Sequence, residues 1–329
     1  MVDSGGLTVA VTGPTGTFGF ALMPLLQKDD RVDRVFGIAR RPFVPAEHGW
    51  TKMEYRRGDV RDADALQACF DGADVVVHLA FLILGGGRQT TRAINVEGTL
   101  NAFRAASEAG VKRFVYASSV AAYGFHRDTP IGIREDWATR PADRLFYAQE
   151  KAELEHLLHQ EAAARPQTEL YLLRPSIVLG PDAVGAKVSI PTVLAPLARA
   201  VGTALWRLPG VPVLVPDLPF QVIHQEDVAE ALRLCVVGAG APGAYNIAAD
   251  DTITLVDVAR ELGLRAVRIP GGPVASLARA AAKLPYLPSG AQWVEALSHP
   301  VIMDTTKAKT QLGWRPRHTA IESLRSTFR

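Results

Sequence analysis

Short runs of β-branched and aromatic residues alternate with longer segments of helical periodicity through the first half of the chain. These runs are apolar at nearly every position, which is typical of strands that are buried on both faces of a sheet. The predicted strands are Leu7–Thr12, Arg34–Ala39, Met53–Arg57, Asp74–Leu79, Phe114–Ser118 and Leu170–Leu173. The predicted helices are Gly19–Gln27, Ala63–Phe70, Thr91–Ala109 and Tyr147–Ala163. Such alternation predicts right-handed crossovers, and therefore an α/β fold with a doubly wound parallel sheet.

The pattern changes after Arg174–Pro175, where proline and glycine become frequent and helical segments become short. A further strand-like run, Tyr245–Ala248, is predicted to return to the sheet, whereas the alanine-rich Val274–Lys283 is assigned to a smaller cap. We therefore predict a sheet domain of residues 1–174, completed by residues 221–248. Residues 175–220 and 249–329 would form the smaller, mostly C-terminal domain.

Three glycines with the spacing G-x-x-G-x-x-G connect the first predicted strand to the first predicted helix. Glycine in such a turn permits a tight bend, close approach of the backbone to a pyrophosphate, and close packing of helix on strand. The helix N-terminus then offers free N–H groups to phosphate oxygens. The alternative is a glycine-rich loop that binds nothing. With strand and helix in the required order, we predict a dinucleotide site formed by Gly13, Thr15, Gly16, Thr17, Phe18 and Gly19.

The end of the second strand bears on which dinucleotide binds. An acidic residue there usually bonds the adenosine ribose, but this chain has Arg40 and Arg41 instead. Two guanidinium groups suit a 2′-phosphate, so NADP is favoured over NAD, although Arg40 stacking on adenine or facing solvent is the alternative. Asp59 and Val60 follow the third strand. Asp59 is expected either at the adenine amino group or, like Asp62, at the N-cap of the next helix.

Tyr147 and Lys151 lie one helical turn apart, so the phenol and the ammonium should project from the same face. A neighbouring cation favours the phenolate and lowers the pKa of a tyrosine, which makes the pair a tunable acid and base. Ser118 and Ser119 end the fifth strand, where a parallel sheet holds its ligands, and a hydroxyl there could polarise a substrate carbonyl. Each residue alone has an ordinary alternative, as a turn serine or a surface pair.

The combination of these motifs resembles the extended short-chain dehydrogenase/reductases, the NAD(P)-dependent epimerase/dehydratase family with a Rossmann domain. The resemblance covers essentially the whole chain. It is carried by segments 12–19, 58–62, His78–Ala80, Asn95–Thr99, Tyr116–Ser119, Tyr147–Lys151, Leu173–Pro175, 223–229 and 312–316.

The resemblance implies a role for each matching residue. Ser119, Tyr147 and Lys151 would be catalytic, with Ser119 favoured over Ser118, and Lys151 would bond the nicotinamide ribose and lower the pKa of Tyr147. Asn95 would brace the cofactor loops. Further cofactor contacts are expected at Leu79, Ala80, Pro175 and Ile177. A homodimer is also implied, with helices Thr91–Ala109 and Tyr147–Ala163 at a two-fold interface.

The chain departs from the sugar-nucleotide members of this family. Its catalytic stretch reads Leu145-Phe-Tyr-Ala-Gln-Glu-Lys151, and the arginine that usually binds a diphosphate before Val222 is missing from residues 215–221. Phe81–Leu84 is strongly apolar, which fits a small apolar carbonyl or alcohol, or else merely packs the domain junction. The expected substrate pocket contains Phe81, Leu84, Val120, Ser176 and Gln221.

Three functions follow from these motifs. An NAD(P)-dependent oxidoreductase is favoured over an epimerase that retains its cofactor, and both over a non-catalytic dinucleotide-binding regulator, because the chain keeps the tyrosine and the lysine.

Composition bears on the partners, the location and the metal content of the protein. A formal net charge of +2 over 329 residues argues against nucleic acid or an anionic membrane as partner. No signal-peptide pattern or apolar stretch of membrane-spanning length is evident, and Cys69 and Cys235 are expected to be buried free thiols, so we expect a soluble cytoplasmic protein. His156 and His159 share a helix without further ligands, and His224 suits a satisfied core position, so no metal site is expected.

Overall fold

The computed structural model describes residues 5–83, 87–183, 213–273, 276, 296 and 299–328. The strands are β1 (Leu7–Thr12), β2 (Val32–Ala39), β3 (Met53–Arg57), β4 (Val75–His78), β5 (Arg113–Ala117), β6 (Glu169–Pro175), β7 (Ile177–Leu179), β8 (Val213–Asp217), β9 (Pro219–Phe220), β10 (Val222–His224), β11 (Gly243–Ile247), β12 (Ile253–Thr254) and β13 (Ala266–Pro270). The helices are α1 (Thr17–Lys28), α2 (Ala63–Phe70), α3 (Arg88–Arg92), α4 (Gly98–Glu108), α5 (Phe146–Ala164), α6 (Gln225–Val236), α7 (Leu255–Glu261) and α8 (Ala320–Phe328).

A seven-stranded sheet in the order β11-β6-β5-β4-β1-β2-β3 forms the centre of the protein, and every neighbouring pair is parallel. Alternate residues of the central strand β1 enter two different apolar cores. Val9 and Val11 pack with α1 and α6 on one face, whereas Ala10 packs with α2, α4 and α5 on the other. The predicted doubly wound sheet is thus confirmed, and its central strands are mostly apolar because both of their faces are covered.

The strand order reverses between β1 and β4, which creates a crevice at the carboxyl ends of these two strands. Gly13 follows β1 and Ala80 follows β4. The two turns touch, since a Cβ on Gly13 would lie 2.9 Å from the backbone nitrogen of Ala80. Gly13, the first residue predicted to hold the cofactor, therefore lies at this crevice, where open α/β sheets bind ligands.

The predicted helix Thr91–Ala109 is the main departure in the sheet domain. It is divided into α3 and α4 by a π-helical turn, Ala93–Glu97, at which the hydrogen-bonding pattern admits an extra residue. Asn95 lies in this turn and is fully buried. Helical periodicity could not reveal the turn, because the long-range contacts of Asn95 determine it.

Three two-stranded pairings, β10–β7, β12–β9 and β13–β8, lie outside the large sheet. β11, which covers most of the predicted run Tyr245–Ala248, pairs with β6 as expected. The division into two domains stays a prediction, because residues 184–212 lie outside the described part of the chain. The same holds for nearly all of the predicted segment Val274–Lys283. Among the described residues, no helix combines the length and the apolar character needed to cross a bilayer.

Candidate functional site

The glycine-rich turn between β1 and α1 is held by its own packing. Gly13 has a φ of +70°, a conformation that favours glycine, and a Cβ on Gly19 would lie 2.2 Å from the carbonyl oxygen of Pro14. Gly16 is different, because it is exposed and a Cβ there would meet only the Gly13 oxygen, at 3.4 Å. Two of the three glycines are therefore required by the fold, and the third leaves open space at its surface.

The N-terminus of α1 opens at the same turn. Gly16 is its N-cap, no side chain caps this end, and no acidic residue lies in the first turn. The Thr17 hydroxyl donates to the Asp182 carbonyl oxygen at 2.8 Å, which places the segment after β7 beside this end. Helix N–H groups without a capping side chain, next to an open glycine surface, fit a pyrophosphate.

The turns after β2 and β3 lie next to each other. Arg40 and Arg41 are exposed, and the Arg57 Nε donates to the Arg40 carbonyl oxygen at 3.0 Å. Asp62 is the N-cap of α2, since its carboxylate accepts from the Ala65 nitrogen at 3.1 Å.

Asp59 is therefore not the N-cap of α2. It pairs with Arg61 at 2.8 Å, and this guanidinium, together with the charge of Arg40, lowers the pKa of Asp59. Val60 is buried against Gly98 at the start of α4, where a Cβ on the glycine would lie 2.5 Å from the valine.

Ser119 and Tyr147 come together at the carboxyl end of β5. Ser119 is the N-cap of a short 3₁₀ turn, Val120–Tyr123, and its hydroxyl oxygen accepts from the Ala121 nitrogen at 3.1 Å. The same hydroxyl is hydrogen-bonded to the phenol of Tyr147 in the first turn of α5. Two residues that are distant in the sequence thus form one polar pair beside the crevice.

Lys151 lies one turn further along α5 and is almost fully buried. Its ammonium donates to the Tyr116 hydroxyl at 2.9 Å and to the Ala117 carbonyl oxygen at 2.8 Å, and it lies 3.7 Å from the centre of the Phe81 ring. Burial lowers the pKa of Lys151 from 10.5 to about 7, although Glu155 and Glu150 act in the opposite direction.

The expectation that Lys151 lowers the pKa of Tyr147 is wrong for this structure. Burial raises the pKa of Tyr147, and the hydrogen bond with Ser119 offsets this only in part. The ammonium of Lys151 is instead bonded to Tyr116 and Ala117.

The residues predicted to line the substrate pocket differ in what they contact. Phe81 packs edge-on against Tyr147, with ring centres 5.7 Å apart, and Val120 joins an apolar cluster that includes Trp137. Gln221 is engaged with the backbone of Met303, donating at 3.1 Å and accepting at 2.8 Å. Its amide therefore braces the chain at Met303, and its place in the substrate pocket stays a prediction.

The end of β6 supplies the remaining predicted contacts. Pro175 is buried, and Ile177 is 46% exposed. Ser176 is buried, and its hydroxyl has no hydrogen-bond partner among the described residues. Leu84 lies outside them. At the end of β4, Leu79 and Ala80 donate their backbone N–H groups to the Thr12 hydroxyl at 3.2 and 3.3 Å.

The buried network that separates Ser118 from Ser119 was not predicted from the sequence. Ser118 donates to Glu155 at 2.5 Å, and Glu155 forms a buried ion pair with Arg174 at 2.5 Å. Tyr116 was also missed. A signal was available, because two strand residues span about 6.6 Å and four helical residues span about 6 Å. Tyr116 and Ser118 therefore match Lys151 and Glu155 in spacing.

A second polar network braces the crevice from below. His78 is buried between Thr12 at 2.8 Å and Thr99 at 3.0 Å, and burial lowers its pKa to about 3. Asn95 accepts from the Leu82 nitrogen at 2.8 Å and donates to Glu150 at 2.8 Å. The expected bracing role of Asn95 agrees with these contacts.

Comparison with known proteins places this geometry in a family. An uncharacterized protein of Mycobacterium tuberculosis (strain ATCC 25618 / H37Rv) is 27% identical over 332 residues, which cover 98% of this chain and 83% of that protein. A 3 beta-hydroxysteroid dehydrogenase/Delta 5-->4-isomerase of the same organism is 40% identical over 119 residues, or 34% of this chain and 31% of that protein.

A solved structure shares the fold. The Bordetella bronchiseptica enzyme WbmG, in complex with NAD and UDP, matches with a TM-score of 0.69 and 20% identity, over 100% of this chain and 95% of that one. Residues 9–248 match the model of the NAD dependent epimerase/dehydratase family. This match covers more than half of the chain and confirms the resemblance found in its motifs: the chain belongs to the NAD dependent epimerase/dehydratase family.

Proposed function

We propose that the protein is an NAD(P)-dependent oxidoreductase that transfers a hydride between the nicotinamide and a carbonyl or alcohol substrate. The observation that carries this proposal is the hydrogen bond between Ser119 and Tyr147, with Lys151 one turn along the same helix. A hydroxyl pair beside a buried lysine, next to a turn that suits a pyrophosphate, is an arrangement for moving a proton to or from a substrate oxygen.

The bound nicotinamide would supply or accept the hydride. The glycine turn and the N-terminus of α1 would hold the pyrophosphate, with Asp59 on the adenosine side. Tyr147 would move a proton between its phenol oxygen and the substrate oxygen. Ser119 would orient that oxygen by a hydrogen bond, and Lys151 would bond the nicotinamide ribose.

Substitution of the tyrosine tests this proposal. Tyr147→Phe should reduce turnover by about 10²- to 10⁴-fold, the range typical of a general acid, while cofactor affinity stays nearly unchanged. A matched control is Tyr171→Phe, which removes a phenol that donates to the Gly240 carbonyl oxygen. Turnover with a panel of alcohols and carbonyls, read by NAD(P)H absorbance, measures both. Equal turnover of Tyr147→Phe and wild type would contradict the mechanism.

The preferred cofactor in this proposal is NADP. Its support is the pair Arg40 and Arg41, which are exposed directly after β2, where the sequence has no acidic residue. The double variant Arg40→Ala/Arg41→Ala should weaken NADPH binding by about 10-fold or more and leave NADH binding unchanged, because only NADPH carries the 2′-phosphate. Titration followed by nicotinamide fluorescence measures both affinities. An equal loss for the two cofactors would exclude recognition of the 2′-phosphate.

An apolar substrate is part of the same proposal. Tyr147 packs beside Phe81 and the apolar cluster of Ala121, Leu145 and Ala148, and Val120 packs in a neighbouring cluster. The partial similarity to a hydroxysteroid dehydrogenase agrees with an apolar alcohol. Kinetics with alcohols of increasing apolar size should show kcat/KM rising with size. A preference for charged sugar nucleotides would argue against this assignment.

An epimerase is the second candidate, and the family match favours it. Such an enzyme would oxidise and then reduce its substrate within one cycle, so the nicotinamide would stay bound and no net NAD(P)H would be consumed. Mass analysis of the purified protein distinguishes the two functions. Non-exchanging NAD would favour the epimerase, and freely exchanging NADP would favour the oxidoreductase.

A homodimer is also proposed, with α4 and α5 at the interface. These helices lie side by side, and the Arg104 guanidinium of α4 donates to the Glu161 carboxylate of α5 at 2.9 Å. Light scattering after size exclusion should give twice the chain mass of 35.4 kDa. A single-chain mass at micromolar concentration would contradict the assignment.

A further inference from the structure

Two histidines from distant parts of the sequence meet at the N-terminus of α6. His224 ends β10 and is the N-cap of α6, and His318 precedes α8. Their rings are stacked with centres 3.9 Å apart. Glu226, in the first turn of α6, lies beside both: its Oε2 is 3.9 Å from His224 Nδ1 and 3.6 Å from His318 Nε2. One ligand atom from each of the three residues lies within 4.8 Å of the others.

Hydrogen bonds orient the His318 ring. Its Nδ1 lies 3.1 Å from Oδ2 of Asp227, a carboxylate that is buried. Because a carboxylate only accepts, Nδ1 carries the proton, and Nε2 presents its lone pair toward Glu226. Asp227 also accepts from the Arg317 nitrogen at 2.9 Å, so the backbone before α8 is fixed against the same carboxylate.

The His224 ring is oriented in a similar way. Its Nε2 lies 3.1 Å from the Ser326 hydroxyl, which donates its own proton to the Ser323 carbonyl oxygen at 2.8 Å. Ser326 must therefore accept from His224 Nε2, which leaves the Nδ1 lone pair facing Glu226. The Glu226 nitrogen donates to this Nδ1 at 3.3 Å, a long hydrogen bond that caps α6 and that an ion bound at Nδ1 would replace.

We propose that His224, Glu226 and His318 form a binding site for a late first-row divalent metal such as Zn²⁺. Two imidazole nitrogens and one carboxylate oxygen are a donor set that Zn²⁺ accepts, with a fourth position open to water. A tetrahedral ion with bonds of about 2.0–2.1 Å places its ligand atoms about 3.3 Å apart, so separations of 3.6 and 3.9 Å need only a small contraction.

The surroundings strengthen the assignment. A histidine ligand usually donates its second ring nitrogen to a carboxylate or another oxygen, and Asp227 and Ser326 provide those acceptors. Glu226 is 63% exposed in its side chain and free to swing toward the rings. The ion would join α6, α8 and the segment before α8, and none of its ligands belongs to the Ser119, Tyr147 and Lys151 group.

Metal titration of the chelator-stripped full chain tests the site. Zn²⁺ added in a calorimeter should bind at one ion per chain and raise the melting temperature, because the ion binds the folded state. Glu226→Gln keeps both histidines and should weaken Zn²⁺ binding by about 10-fold or more, and His318→Gln should do the same. Co²⁺ should give visible absorption typical of nitrogen and oxygen ligands.

A matched control distinguishes this site from incidental binding by surface histidines. The double variant His156→Gln/His159→Gln removes two exposed histidines of α5 and should leave Zn²⁺ affinity unchanged. Loss of binding in the control, equal affinity of Glu226→Gln and wild type, or no saturable binding by the wild type would overturn the proposal. Each of these results would leave the histidine pair as a capping and packing element only.

Discussion

Replacement of Lys151 by methionine should change how the stability of the protein depends on pH. Burial lowers the pKa of this lysine from 10.5 to about 7 in the folded chain. Between these two values the unfolded chain binds a proton that the folded chain does not hold. The free energy of unfolding of the wild type should therefore rise with pH through this window, and Lys151→Met should lose that rise.

The magnitude follows from the two pKa values. Below about pH 7, where both states are protonated, the difference of 10.5 minus about 7 corresponds to a penalty of about 5 kcal/mol. At about pH 9 the remaining penalty is about 2 kcal/mol, so the wild type should gain about 2 to 3 kcal/mol relative to Lys151→Met between about pH 6 and pH 9. Loss of the hydrogen bonds to Tyr116 and Ala117 is common to both pH values and cancels in this difference.

Urea unfolding followed by circular dichroism at both pH values measures this difference. The control is Lys112→Met, which removes a lysine whose side chain is 73% exposed, and it should follow the wild-type pH dependence. If the wild type and Lys151→Met gain the same stability between the two pH values, the lysine is not the buried group described here, and the reasoning fails.

The remaining predictions concern the predicted cofactor-binding turns and the buried ion pair of Glu155 with Arg174. Gly19→Ala should cost about 2 kcal/mol or more in stability, because its Cβ would lie 2.2 Å from a carbonyl oxygen, whereas Gly16→Ala should leave urea unfolding unchanged and weaken cofactor binding. Asp62→Ala should cost about 1 kcal/mol by removing the N-cap of α2, and Asp59→Ala should lower cofactor affinity with little change in unfolding. Glu155→Gln should cost about 3–5 kcal/mol in the same assay, since it leaves a buried guanidinium without its charge partner; a loss below about 1 kcal/mol would contradict this.

The sheet could be predicted from the sequence because strands covered on both faces are apolar without interruption. The glycine turn could also be predicted from the sequence, since local packing requires glycine at positions 13 and 19. Boundaries were less certain: β2 begins at Val32, two residues before the predicted start at Arg34. The hydrophobic pattern of a strand and the glycines of a turn each depend on nearby residues, and for this reason the sequence alone could indicate them.

The side-chain pairings of the site were less predictable, because they depend on distances across the core. One position directly after β5 decides whether a serine meets Glu155 or Tyr147: Ser118 meets the carboxylate and Ser119 meets the phenol. The catalytic role of Ser119 stays a prediction. The position of Lys151 against Tyr116 and Phe81, and the raised pKa of Tyr147, required coordinates. So did the meeting of His224 with His318, which no spacing in the sequence indicates.

The position of β11 at the edge of the sheet has a consequence for synthesis of the chain. β6 is complete at Pro175, but its outer partner, β11, begins only at Gly243. As the chain leaves the ribosome, the sheet therefore waits with one open parallel edge, which can pair with other chains, until the intervening residues have been made. A nascent chain arrested before Gly243 should need chaperone protection, and one released after Ile247 should close its own sheet.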